Sequence, residues 1–141
     1  MIIAIGADHA GFPLKERIKE YLIKKGFEIR DFGTDSDESC DYPDYGFLVG
    51  DFVSKNRTSL GILICGTGIG MSVAANRIPK VRAALCHTED FARLARQHNH
   101  ANILCLSGRF LQEDEGFKIV DAFLEAEPEK GRHKRRVEKL G

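Results

Sequence analysis

Leu60-Gly61-Ile62-Leu63-Ile64-Cys65-Gly66-Thr67-Gly68-Ile69-Gly70 is an apolar run that breaks at a cysteine into a string of spaced glycines. Six residues without polar alternation are how a strand covered on both faces reads. Glycines at 66, 68 and 70 then free the backbone to turn its amides inward, and the pattern from Gly70 to Asn76 predicts a short helix. Strand, tight loop and helix make the repeating unit of an α/β protein.

The same reading extends in both directions. Apolar runs at Ile2–Ile5, Phe27–Phe32, Arg82–Cys86 and Ile103–Leu106 predict four further strands. Helical spacing recurs over Pro13–Lys25, Pro43–Lys55, Thr88–Gln97 and Glu113–Glu125. Pro13 suits a first turn and Gly26 a C-terminal cap, while Thr88 followed by Glu89 and Asp90 combines a capping residue with acids that the helix dipole favours. Five strands alternating with helices imply a three-layer α/β/α sandwich around a five-stranded, mainly parallel, Rossmann-like sheet with right-handed crossovers. In such sheets ligands bind beyond the carboxyl ends of the strands. The search for function therefore narrows to the loop after each strand.

Composition bounds the answer further. The 141 residues are expected to form one domain, residues 1–141, with a charged basic segment from 127 to 141. Lysine plus arginine and aspartate plus glutamate stand at 21 each, so no net field draws the whole chain onto nucleic acid or an anionic membrane. The first residues are apolar too briefly for a leader or a membrane span, and a cytoplasmic location is the expectation. Cys40, Cys65, Cys86 and Cys105 lie about twenty residues apart with no Cys-x-x-Cys pair, which argues against a zinc knuckle or a redox dithiol. They read as reduced thiols, with Cys86 and Cys105 as core residues.

Two loops fall at the ligand-binding edge, Gly6-Ala7-Asp8-His9-Ala10-Gly11 and Cys65-Gly66-Thr67-Gly68-Ile69-Gly70. The second is neither a dinucleotide fingerprint, since Met71 stands where glycine is needed, nor a P-loop, since no lysine follows. Nor is it a phosphatase loop, because no arginine lies six residues after Cys65. A thiol at the mouth of such a loop, beside a helix N-terminus, is placed to serve as base or nucleophile. Loop amides beside it suit a developing oxyanion, which fits either acyl transfer or proton abstraction next to a carbonyl. Spacing alone does not choose between them. His98-Asn99-His100 closes the fourth helix, where alternate histidines read as surface or capping groups rather than a metal site. Arg132 and Arg136, four apart, would share a helix face and could hold a phosphate between two guanidinium forks.

Taken in order, Gly6–Gly11, Asp41-Tyr42-Pro43-Asp44-Tyr45, Cys65 to Ser72, Ala74-Ala75-Asn76 and Arg82-Ala83-Ala84 resemble the ribose-5-phosphate isomerase type B and galactose-6-phosphate isomerase family over nearly the whole chain. The resemblance implies aldose-ketose isomerisation of a phosphorylated sugar through a cis-enediolate, with ribose 5-phosphate and ribulose 5-phosphate of the pentose phosphate pathway as the expected pair, without metal or organic cofactor. It implies Cys65 as the base between C1 and C2, and His98 as the group that opens the sugar ring. Thr67 and the amides of Gly66, Gly68, Ile69 and Gly70 would stabilise the enediolate. Asp8 and Asn99 would bind hydroxyls, and His9, Arg109, Arg132 and Arg136 the phosphate. Met71 stands where another branch of the family has glutamate, which assigns the chain to the cysteine branch. A homodimer with sites shared across its interface, or a dimer of dimers, is the expected assembly. An isomerase of allose or galactose 6-phosphate, a thiol-dependent transferase and a non-catalytic sugar-phosphate sensor are the alternatives.

Overall fold

The computed structural model describes Met1–Gly141. Strands and helices alternate as β1 (Ile2–Ala7), α1 (Phe12–Lys24), β2 (Glu28–Asp31), α2 (Tyr42–Lys55), β3 (Leu60–Cys65), α3 (Ile69–Ala75), β4 (Ala83–Leu85), α4 (Glu89–Asn99), β5 (Ile103–Ser107), α5 (Glu113–Glu125) and α6 (Arg132–Glu138). All pairings are parallel, in the order β2-β1-β3-β5-β4. The expected α/β sandwich is the fold observed. The sheet is wholly parallel, beyond the mainly parallel one expected.

The strands that read as continuous apolar runs are the central ones. Every residue of β3 and β5 is buried, and each face of the sheet carries its own core. On one face Ile3, Ile5, Ile62 and Leu104 pack with Leu14, Ile18 and Leu22 of α1, Ala92 of α4 and Phe123 of α5. On the other, Ala4, Leu63 and Ile103 pack with Val49 and Val53 of α2 and Met71 and Ala75 of α3. Cys86 and Cys105 lie in these cores as expected; burial pushes the Cys86 thiol up to about 11 and raises Cys105 further.

Several boundaries differ from the sequence reading. β2 spans Glu28–Asp31 rather than 27–32, and as an edge strand it alternates exposed with half-buried residues. β4, the opposite edge, shortens to Ala83–Leu85. α4 runs two residues past Gln97, so His98 and Asn99 are helical; His100 closes the helix at φ 49°, its amide donating to the Ala95 carbonyl. The Thr88 cap is made as its sequence implied, with Oγ1 accepting from Phe91 N at 3.2 Å. The charged 127–141 segment contains α6, which packs against α4.

Lys15 is an exception to the apolar interior, fully buried on α1. Its ammonium donates to Asp31 Oδ2 at 2.7 Å and Oδ1 at 2.9 Å, and to Glu16 Oε2 at 2.8 Å. These bonds tie α1 to the end of β2, where the chain turns toward the ligand-binding edge.

Candidate active site

Three loops converge beyond the carboxyl ends of β1, β3 and β5. Asp8 N donates to the Ile64 carbonyl at 3.2 Å, and Gly108 N to the Cys65 carbonyl at 2.8 Å. Arg109 N donates to the Gly66 carbonyl at 3.1 Å, and the Ser107 hydroxyl reaches the same oxygen at 2.7 Å. The loops approach so closely that a Cβ on Gly11 would overlap the Ile64 carbonyl, and one on Gly108 would stand 2.6 Å from the Ala10 oxygen.

Within this cradle hydrogen bonds fix several of the side chains. Asp8 is buried, and its Oδ1 accepts from Ala10 N and Gly11 N, both at 3.0 Å. That holds the carboxylate still and leaves Oδ2 unspent. His9 Nδ1 accepts from Cys40 N at 3.2 Å, so the neutral ring carries its proton on Nε2. Cys65, 5% exposed, ends β3 against the β5 loop. Thr67 Oγ1 accepts from Ile69 N at 3.1 Å, which leaves its hydroxyl proton free to donate. Gly68 adopts φ 81° as the cap of α3, a conformation open to glycine but costly for other residues. The amides of Gly66, Thr67, Gly68 and Gly70 have no acceptor within the chain. The Arg109 guanidinium lies over Gly66, its Cζ 3.3 Å from where a Cβ would stand.

His98, Asn99 and Arg136 lie elsewhere. They line one groove with His133, Val137 and Leu140. Gly61 N, near the start of β3, donates to the Asn102 carbonyl at 2.9 Å, which puts the end of α4 at the amino edge of the sheet. Cys65 closes the same strand at the far end, four residues on and about 13 Å away at 3.3 Å per residue. The chain thus gathers Asp8, His9, Cys65, Thr67 and Arg109 at one edge, and His98, Asn99 and Arg136 at the other. Arg132 is exposed at the start of α6 on the second side.

His98 stacks on His133, and both Nε2 atoms approach Glu129 Oε1, at 3.7 and 3.5 Å. The three side chains are close enough to suggest a metal site. The in-plane lone pairs of two parallel stacked rings do not converge on one ion, so the present arrangement is not a formed one.

Three contributors to the first edge were given no role by sequence reasoning. Tyr42 lays its ring on Gly70, where a Cβ would come within 2.8 Å of Cε1, Cys40 holds His9, and the fully buried Ser107 pins Gly66. Their signal is position. Cys40 and Tyr42 follow β2 and Ser107 ends β5, all at the carboxyl edge.

A strand-end thiol followed by a loop of unspent amides, with a fixed carboxylate and a guanidinium at the same edge, marks an α/β protein whose carboxyl edge has the donors that an oxyanion on a small anionic ligand requires. The ribose/galactose isomerase model matches residues 3–140, and the chain belongs to that family. A probable ribose-5-phosphate isomerase B of Mycoplasma genitalium is 52% identical over 140 residues, 98% of this chain and 92% of the relative. The structure of Clostridium thermocellum ribose-5-phosphate isomerase B superposes with a TM-score of 0.98 at 49% identity, covering 100% of this chain and 95% of that one. The Mycoplasma genitalium enzyme with bound ribulose 5-phosphate superposes with a TM-score of 0.95 at 52% identity, covering 99% and 93%.

Proposed function

We propose that this protein interconverts ribose 5-phosphate and ribulose 5-phosphate, with Cys65 as the base. The observation that carries the reading is that Cys65 ends β3 where the free amides of Gly66, Thr67, Gly68 and Gly70 follow, the Ile69 amide being spent on Thr67, and where the fixed carboxylate of Asp8 follows the neighbouring β1. The ribulose 5-phosphate bound to the related Mycoplasma genitalium enzyme supports the choice of sugar.

Once the ring is open, the Cys65 sulfur takes the proton from C2. The electron pair left behind forms the C1–C2 double bond, and negative charge gathers on O1. Donors facing that oxygen, the Thr67 hydroxyl and the loop amides, stabilise it without reorganising. The thiol returns the proton to C1 while the O2 proton passes to the O1 oxyanion, so that C1 becomes a hydroxymethyl carbon and C2 the carbonyl. Asp8 Oδ2 takes a sugar hydroxyl, and Arg109 and His9 Nε2–H face the phosphate. Holding the dianion uses binding energy remote from the reacting carbons to fix a small substrate.

His98 as ring-opening group, with Asn99, Arg132 and Arg136, requires a second chain, because these residues sit at the opposite edge from Cys65. A two-fold dimer brings the amino edge of one chain against the carboxyl edge of its partner and makes two equal sites. Surface chemistry favours this. Phe91 and Leu94 line an apolar groove along the β4 edge that ends at His98 and Asn99, and Ile69 and Val73 are over half exposed on α3 beside the glycine loop.

Incubating the purified chain with ribose 5-phosphate, and separately with allose 6-phosphate, tests the reading. Ribulose 5-phosphate should form, and the hexose should turn over poorly. Preference for the hexose would reassign the substrate, and tight binding without turnover would make the protein a sensor.

A further inference from the structure

The proposed chemistry leaves one concentration of positive charge unused. At the amino edge of the sheet, two adjoining clefts of about 570 and 390 Å³ share Arg57, Arg82, His100 and Pro128. The larger adds Lys80, Lys130 and Lys134; the smaller adds Arg96 and the Met1 end of the chain. Six side-chain cations thus line a space whose acids are Glu127, Glu129, Glu138 and the carboxyl end at Gly141. None of the six is ion-paired; Arg57, Lys80, Lys130 and Lys134 are exposed, but Arg82 and Arg96 are half-buried, and the other buried or half-buried cations, Lys15, Lys19 and Arg93, all have carboxylate partners.

Two of these arginines are built into the fold with donors to spare. Arg82 Nε donates to the His100 carbonyl at 3.0 Å, which fixes the side chain and leaves its terminal nitrogens unspent. Arg96 Nη1 donates to the Ala101 carbonyl at 2.7 Å, while its Nε is the one buried side-chain nitrogen or oxygen left without a partner. Burial, then the charge of Arg57, lowers the proton affinity of Arg82. Burial does the same to Arg96, with Glu127 opposing it and Arg82 adding to it. Half-buried guanidinium groups that repel one another are costly unless an anion joins them, and their forks match phosphate oxygens.

We propose that this cleft is a second anion site, which takes a phosphate-bearing small molecule and is separate from the residues assigned to isomerisation. Its size falls within the range of about 300 to 1,000 Å³ typical of small-molecule sites, which favours a ligand larger than a lone phosphate ion. α6 divides it from the His98 groove: Lys134 and Glu138 face the cleft, whereas His133 and Arg136 face His98. Glu129 touches both sides, its carboxylate near His98 and its carbonyl accepting from His100 Nε2 at 2.8 Å.

Pyrophosphate is the probe. Calorimetric titration at physiological ionic strength should show it binding to the wild-type chain and binding about tenfold or more weakly to Arg57→Gln/Lys80→Met. That variant should keep the wild-type melting temperature and the wild-type kcat/KM for ribose 5-phosphate, since neither side chain makes a hydrogen bond within the chain. Arg132→Ala should leave pyrophosphate binding at the cleft intact. Unchanged binding in Arg57→Gln/Lys80→Met would overturn the proposal, as would binding lost through Arg132→Ala alone, which would place the anion in the His98 groove. Binding that vanishes at physiological salt would reduce the cleft to a diffuse positive field and overturn it as well.

Discussion

His98 and His133 stack face to face, with ring centroids 4.0 Å apart and planes 2° from parallel. Burial, then the charges of His98 and Arg132, holds His133 below its ordinary value of 6.5, with Glu129 pulling the other way. A histidine depressed in the folded chain takes up protons more readily when unfolded. Its contribution is therefore intact above about pH 6.5 and is lost as pH falls toward the folded value. The melting temperature should drop more between about pH 7.5 and 5.5 in the wild type than in His133→Gln. Equal drops would contradict the coupling.

Lys15 joins α1 to β2 from a fully buried position. Lys15→Met leaves Asp31 with Lys19 alone, at 2.8 Å, and should cost about 3 kcal/mol in urea unfolding, as removing one partner of a buried pair does. Burial alone would raise the Asp31 carboxyl; hydrogen bonds from Lys15, Lys19 and the Gly33 amide outweigh it, and the net shift is downward. Asp31 thus stabilises the fold above the ordinary carboxylate range, and this is lost as pH falls through its lowered value. Lys15→Met should accordingly lose less stability than the wild type on acidification. A cost under about 1 kcal/mol would show that packing, not the ion pair, holds the strand.

Arg132→Ala and Arg136→Ala should each weaken binding of ribose 5-phosphate by about 1.5 to 3 kcal/mol, the worth of a charge-assisted hydrogen bond. Competition by phosphorylated sugars checks this. Unaltered inhibition constants would return α6 to a solvated role.

The central strands and the carboxyl-edge loops were legible in the sequence because burial on both faces writes continuous apolar runs, and because the glycines have work there: Gly68 lies against the Leu106 carbonyl at positive φ, while Gly66 and Gly70 make room for the Arg109 and Tyr42 side chains. The edge strands were less so. β2 and β4 are half covered, and their ends are set by pairing with β1 and β5 rather than by their own residues. His98-Asn99-His100 was read at the close of α4, where it lies, but the helix was bounded two residues short at Gln97, because His100 in the left-handed region carries no glycine to announce the cap. Lys15 was unreadable, since a lysine at helical spacing looks like a solvated face until Asp31 is placed beside it. The amino-edge cluster of Arg57, Arg82 and Arg96 is scattered over forty positions and is assembled only by the topology.

Cys65→Ala and His98→Ala chains should each be inactive, and mixing them should restore activity. Random exchange makes about half the dimers mixed, each with one intact site, so recovery should approach about one quarter of wild type. Mixtures that exchange subunits yet stay inactive would place both residues in one site of one chain.

Isomerisation of ribose 5-phosphate in heavy water, by the wild type and by Cys65→Ser, tests the account most directly. Wild type should give ribulose 5-phosphate carrying solvent deuterium at C1, because a thiol proton exchanges with the solvent before it is returned to carbon. The serine variant should fold with the same melting temperature and turn over roughly 10² to 10⁴-fold more slowly, the range expected when a positioned base is lost. Wild-type rates in Cys65→Ser would contradict the assignment of Cys65 as the base.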